Sequence, residues 1–146
     1  MSRRVLHPTD FSKASSAAFA RSLAEARANR GELVLLHVLA PVIPVAGEGY
    51  VSPSVYEQMS QSARAWARKQ MDRLLAKARA ARVRARGLVL EGVTHEQIVR
   101  AAKRQRVGII VMGTHGRTGV ARFFLGSVAA RVAATAPCPV LTVRGR

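Results

Sequence analysis

The chain has a single cysteine, Cys138, among 146 residues, which excludes an intramolecular disulfide and any site built from several thiolates. That cysteine stands between Pro137 and Pro139, ahead of an apolar run, where a free thiol is expected to pack as a small hydrophobe rather than to react. Acids are scarce as well: 8 Asp and Glu face 24 Lys and Arg, for a net charge of +16. A surface of that sign draws polyanions, nucleic acid and anionic membranes among them, through a salt-sensitive attraction that speaks to partners and not to fold. No apolar stretch approaches the roughly 18 to 20 residues needed to cross a bilayer, and MSRRVLHPTDF reaches Pro8 and Asp10 before any long apolar core. The expectation is therefore a soluble, cytoplasmic chain with no membrane span or signal peptide. Two phosphate-binding signatures are also missing, since neither a Gly-Lys-Ser/Thr P-loop nor a Gly-x-Gly-x-x-Gly motif occurs. The 4 histidines show no metal-ligand spacing.

What is present alternates between two periods. One compact domain, residues 1–146, is expected at this length. Arg4 to His7 reads as a first strand, left through Pro8-Thr9-Asp10. Ser12 or Asp10 then caps a helix through about Asn29, with Ala18, Phe19, Leu23, Ala24 and Ala28 near helical spacing and Gly31 as its C-cap. Leu33 to Val38 is a second buried strand, followed by a loop to Pro53 long enough to read either as a flap beside a ligand or as a plain connection. Ser54 and Glu57 make a capping box for a helix from about Val55 to Ala81. Met59, Ala63, Trp66, Met71, Leu74 and Ala78 can line its inner face, while Arg64, Arg68, Lys69, Arg73, Lys77, Arg79 and Arg82 crowd the others. Arg84 to Leu90 is a third strand with the look of a sheet edge, and Thr94 with Gln97 repeats the capping box for a helix carrying Ile98, Ala101, Ala102 and Gln105. A fourth strand, a helix from Ser127 to Ala136 stopped by Pro137, and a last strand from Pro139 to Arg144 complete the order βαβαβαβαβ. Alternation of this kind implies an α/β fold, a parallel sheet with helices on both faces.

The most informative stretch is VGIIVMGTHGRTGVARFFLGSV, Val107 to Val128. Val107, Ile109, Ile110, Val111 and Met112 form the continuous apolar run of a strand covered on both faces. Gly113, Gly116 and Gly119 then remove side chains where a ligand could approach main-chain N–H groups. Phe123, Phe124 and Leu125 would anchor the loop by burial, and Gly126-Ser127 opens a helix whose unpaired N–H groups and dipole favour an anion. The arrangement reads as a phosphate cradle.

The spacing Gly113-x-x-Gly116, nine residues, Gly126-Ser127, together with RVLHPTDFSKAS at the start, LVLLHV in the second strand and PCPVLTVR at the end, resembles the universal stress protein family, in its nucleotide-binding branch. The resemblance spans nearly the whole chain. It implies a single-domain, doubly wound, five-stranded parallel sheet of order 3-2-1-4-5, of the adenine nucleotide alpha hydrolase-like kind. In that order the chain leaves neighbouring strands one and four in opposite directions, opening a crevice at their carboxyl ends. Pro8, Thr9 and Asp10 would stand on one side of it. The main chain at Val38 would read an adenine edge, as the matching family position does. Gly113, Thr114, His115, Gly116, Arg117 and Thr118 would wrap the ribose and phosphates, with Gly126, Ser127 and Val128 completing the cradle. Asp10 would bond the ribose or adenine end, or help to hold a Mg or Mn ion carried by the phosphates of ATP.

His115 reads as a hydrogen-bond donor rather than a catalyst, and no catalytic residue is assigned. The loop has Arg117 but no P-loop lysine and no water-orienting glutamate, so slow ATP hydrolysis or autophosphorylation is the most that is expected. The chain departs from the family pattern at Gly108, where an acid is usual, and at Gly92-Val93-Thr94, which lacks the usual Gly-Asp-Pro-like turn. His7 and His37 are expected to be packed and satisfied, and His95 to lie in the first turn of its helix. The family resemblance implies a homodimer formed through the edge strand Val140 to Val143. The function expected is that of an ATP-binding sensor or regulatory module in stress response; the competing reading is a basic scaffold whose long helix binds nucleic acid or an acidic protein, with little nucleotide binding.

Overall fold

In a computed structural model the described residues are 2–41, 52–114 and 125–145. They form β1 (Val5–Pro8), a 3-10 turn (Lys13–Ser15), α1 (Ser16–Ala28), β2 (Glu32–Leu39), α2 (Pro53–Ala80), β3 (Arg84–Glu91), α3 (Thr94–Arg104), β4 (Ile109–Gly113), α4 (Ser127–Thr135) and β5 (Val140–Val143). The strands make one parallel sheet of order β3-β2-β1-β4-β5. Order, topology and element types agree with the sequence expectations, and boundaries move by a residue or two except at the start of α1, where a 3-10 turn over Lys13–Ser15 precedes the helix.

The apolar strand runs are explained by cover on both sides. Val5, Leu33, Leu35 and Val111 face Phe19 and Ala26 of α1 and Met71 of α2. Leu6, Val34, Leu36, Ile110 and Met112 face Ile98 and Ala102 of α3 and Ala129 and Val132 of α4. Each fully buried Leu, Ile or Val contributes roughly 1.5 to 3 kcal/mol over an exposed one, so the sheet centre carries most of the stability. Cys138 is half-buried against the α3 and α4 side, where burial pushes its thiol up.

Several local expectations need correcting. On α1, Ala24 and Ala28 are exposed, and the buried face carries Ala18, Phe19, Ser22 and Ala26. Neither capping box forms. α2 starts at Pro53, whose fixed φ suits the first helical position; this draws Ser54 into the first turn, where its hydroxyl meets that of Ser52 at 3.0 Å instead of capping. α3 takes Val93 as its N-cap, which makes Thr94 helical, and the Gln97 side chain lies against Gly92. Met59 and Trp66 are not core residues, being 50% and 40% exposed. The cause is length: 28 residues of helix extend about 42 Å, whereas the eight residues of β3 cover only about 26 Å. The first turns of α2 overhang the sheet, and its fully buried residues begin at Ala67.

Candidate functional site

β1 and β4 pair only at Val5 with Ile109 and Leu6 with Ile110. Beyond that point Pro8 has no N–H to give, and a side chain takes over the work of the ladder. The Nδ1–H of His7 donates to the Val111 carbonyl at 2.8 Å, bridging the strands where they part. His7 is fully buried. Burial lowers its pKa to about 4, against the opposing pull of the Val111 carbonyl and the Asp10 charge, so the ring is neutral at physiological pH. Its Nε2 has no hydrogen-bond partner among the described residues, which corrects the expectation of a satisfied imidazole.

The lip that leaves β1 is tied down at every residue. Thr9 donates its N–H to Leu36 O at 2.8 Å, and its own carbonyl accepts from His37 Nδ1 at 2.8 Å. The Thr9 hydroxyl meets Ser15 Oγ at 3.2 Å and accepts from the Phe11 N–H at 3.0 Å. Asp10 does not cap α1. One of its carboxylate oxygens accepts from the Ser12 N–H at 2.9 Å, while Ser12 caps the 3-10 turn through Ser15 N. Phe11 is held at φ 62, a left-handed conformation that costs a bulky residue about 1 kcal/mol or more. Its ring lies 4.5 Å from that of His37 and meets Trp66 edge-on at 5.6 Å. These contacts over-determine the turn and hold Asp10 in place before any ligand arrives.

The opposite lip is built on β4 and α4. Gly113 closes the β4 ladder opposite Val143. Thr114 donates its N–H to Val143 O at 3.0 Å, and its carbonyl accepts from Gly126 N–H at 2.7 Å. The two ends of the intervening segment are thereby pinched together, and α4 starts beside the carboxyl end of β4. Gly126, at φ −58 and ψ 155, is its N-cap and has no side chain to offer. The first N–H groups of α4, at Ser127, Val128 and Ala129, lie at a positive dipole end with no intrahelical acceptors.

The structure thus brings together Pro8, Thr9 and Asp10 on one lip and Gly113, Thr114, Gly126, Ser127 and Val128 on the other. The last pair of β1 and β2 is Pro8 with Leu36, two residues before Val38, whose side chain packs into the α3 and α4 side. His115, Gly116, Arg117 and Thr118 lie outside the described residues, as do Gly119, Phe123, Phe124 and the loop from Val42 to Val51. Leu125, expected to be an anchor, is 42% exposed. A separate hollow of about 400 Å3, lined by Leu39, Tyr56, Glu57, Ser60 and Glu91, opens under the overhang of α2 and contains none of the expected site residues. Sequence reasoning missed His7 and His37 as clasps. Their one local signal was a histidine near the carboxyl end of each of two apolar strands.

A doubly wound sheet in which β1 and β4 part between an aspartate turn and a helix N-terminus without a side-chain cap defines an α/β protein with a crevice at its switch point. Comparison with known proteins gives that class a family. The chain belongs to the universal stress protein family, whose model matches residues 1–144. It is 34% identical over 144 residues to a universal stress protein of Thermus aquaticus, covering 99% of this chain and 100% of that one. It is similar also to universal stress protein MJ0577 of Methanocaldococcus jannaschii, whose solved structure superposes with a TM-score of 0.86 at 27% identity, over 100% of this chain and 98% of that chain. A universal stress family protein from Arabidopsis thaliana, solved with AMP bound, shares the fold at a TM-score of 0.69 and 23% identity, over 98% and 92% of the two chains.

Proposed function

We propose that the crevice binds an adenine nucleotide, ATP in the first instance, and that the protein acts as a sensor or regulatory module in stress response. The observation that carries this reading is the pinch between Thr114 and Gly126, which sets the uncapped start of α4 across from the pre-organised Asp10 turn. Phosphates would sit on the N–H groups of Ser127 and Val128, with His115, Gly116, Arg117 and Thr118 closing over them. Asp10 would take the ribose, and the Val38 main chain the base. AMP in the Arabidopsis protein lends support at the level of the fold. Among the described residues no group of three or more His, Cys, Asp or Glu could hold a metal ion; a Mg or Mn ion would arrive on the phosphates, with Asp10 as a protein carboxylate beside it.

The protein would act in the cytoplasm; no described helix is long and apolar enough to cross a membrane. The outer edge of β5 pairs with no described strand, and antiparallel pairing of Val140 to Val143 with a second copy would cover it. Sedimentation across micromolar concentrations tests the dimer, which a monomer throughout would refute. Calorimetric titration with ATP, AMP and adenosine tests the site, using wild type and Gly126→Asp. Aspartate is a favoured N-cap, so this variant keeps or gains stability while setting a negative charge where the phosphates belong. The reading requires phosphate-dependent affinity in the wild type and its loss in the variant; equal binding by both would end it.

A further inference from the structure

At the opposite end of the sheet the strands begin and α1, α2 and α3 end. These three helices close with the same turn. Gly31, Val83 and Val107 donate N–H groups to Ala26, Ala78 and Ala102 at 2.8, 3.0 and 3.1 Å, and the residue before each donates to the carbonyl three back. In this Schellman arrangement the penultimate residue takes a left-handed φ, and glycine usually occupies it because a Cβ is strained there. Here it is arginine each time: Arg30 at φ 50, Arg82 at φ 58 and Arg106 at φ 50. Helix dipoles do not account for the choice, since Arg27, Arg79 and Lys103 already place positive charge in the last turns.

The arginines share one face. Gly31 and Gly108 pack so closely on the backbone of Arg3 and Ser2 that no Cβ would fit, which presses two of the turns against the residues leading into β1. Arg27 Nη2 donates to Ala81 O at 2.7 Å, tying the end of α1 to that of α2, and Arg4 Nη1 donates to Gln105 O at 2.9 Å, tying the start of β1 to the end of α3. In the strand order β3-β2-β1-β4, Arg82, Arg30, Arg4 and Arg106 follow one another at about 4.8 Å per strand, a row roughly 15 Å long. All four are exposed. Among the described residues the ion pairs are Arg21 with Glu25, Arg64 with Glu91 and Arg86 with Glu32, so none of the four has a carboxylate partner.

The character of this face selects its occupant. The exposed large hydrophobic residues, Val55, Met59, Trp66, Val93 and Leu125, lie towards the crevice end, and none belongs to these turns. Among the described residues, therefore, this face has no wedge for a bilayer and no ring on which an unpaired base could stack. What it presents is a row of exposed arginines, complementary in charge to a line of phosphates. We infer that the amino-terminal edge of the sheet docks the phosphodiester backbone of double-stranded nucleic acid, through phosphate contacts that read no sequence. Of the basic residues that the sequence alone had assigned to the long helix, only Arg82 belongs to this face; the rest lie along α2.

Replacing Arg30, Arg82 and Arg106 together by glycine tests it without endangering the fold, because glycine is the residue these turns favour. The thermal midpoint should stay at or above that of the wild type. Affinity for a labelled random-sequence duplex, followed by fluorescence anisotropy, should fall about tenfold or more, and the slope of log affinity against log salt should become shallower by about 2 to 3. Arg68→Gln/Lys69→Gln/Arg73→Gln, which removes the same charge from the flank of α2, should cost markedly less. The inference is overturned if the glycine triple binds like wild type, if the two triples lose affinity equally, or if single strands or anionic vesicles bind wild type more tightly than the duplex does. ATP affinity should be the same in wild type and the glycine triple, so this face and the crevice succeed or fail separately.

Discussion

The two edges of this sheet are finished in opposite ways. At the amino-terminal edge three helices end in copies of one tight turn, and the turn consumes the last carbonyls within the backbone. Main chain is spent there, and the surface chemistry left over belongs to side chains, chiefly arginine. At the carboxyl edge none of the four α-helices has a side-chain hydrogen bond at its N-cap. At the start of α4 N–H groups remain on offer, and side chains such as Thr9, His37 and Phe11 serve to position backbone. A parallel sheet with helical crossovers separates the two chemistries by construction, because all of its helices point the same way relative to the strands. A small anion suits the edge rich in amides, and an extended polyanion suits the edge rich in cations.

That contrast can be broken in four places. The largest effect is expected at the closed edge, where Gly31→Ala would drive a Cβ into the Arg3 carbonyl. Its cost should reach the top of the roughly 1 to 3 kcal/mol range for overpacking, and urea unfolding would reveal a milder change if the edge were loose. At the open edge, Gly126→Asp should lower ATP affinity by about tenfold to a hundredfold, the worth of one or two charge-assisted hydrogen bonds, while leaving adenosine binding and thermal stability close to wild type.

His7 sharpens the comparison through pH. Its folded pKa of about 4 lies below the 6.5 of a free imidazole, so in that window the unfolded chain takes up a proton that the folded chain refuses. Its share of stability is complete above 6.5 and drains away as pH falls towards 4. In His7→Leu the lost bond to Val111 and the relief of the orphaned Nε2 oppose each other. Stability at about pH 7 should therefore stay within about 1 kcal/mol of wild type, and by about pH 4.5 the variant should have gained roughly 2 kcal/mol relative to it. Denaturation at the two pH values would expose a parallel decline if some other group were responsible. The smallest effect belongs to Arg64→Ala. Its 2.5 Å pair with Glu91 is half exposed, and less than about 0.5 kcal/mol should be lost by the same measurement.

Local pattern was a good guide wherever the deciding forces were local. Val107 to Met112 announced a doubly covered strand, and Gly113 and Gly126-Ser127 marked the end of β4 and the start of α4. Local reasoning failed at helix starts, where the expected cap moved back two residues from Ser54 to Ser52 on α2 and one from Thr94 to Val93 on α3, because a cap depends on which residue is first outside the helix. It failed again along α2, where spacing gave Met59 and Trp66 the same rank as Met71, and only the length of the neighbouring strand decided which would be covered.

By itself the sequence determined the element types, their order and the chemistry of the loops, since apolar period, glycine and charge act over a few residues. Tertiary structure alone decided which distant groups meet. His7 reaches a carbonyl 104 residues away and His37 one 28 residues away, and the arginines of three separate turns fall into a row. Such meetings depend on strand order and register, and those follow from how whole faces pack together, which no short stretch of chain records.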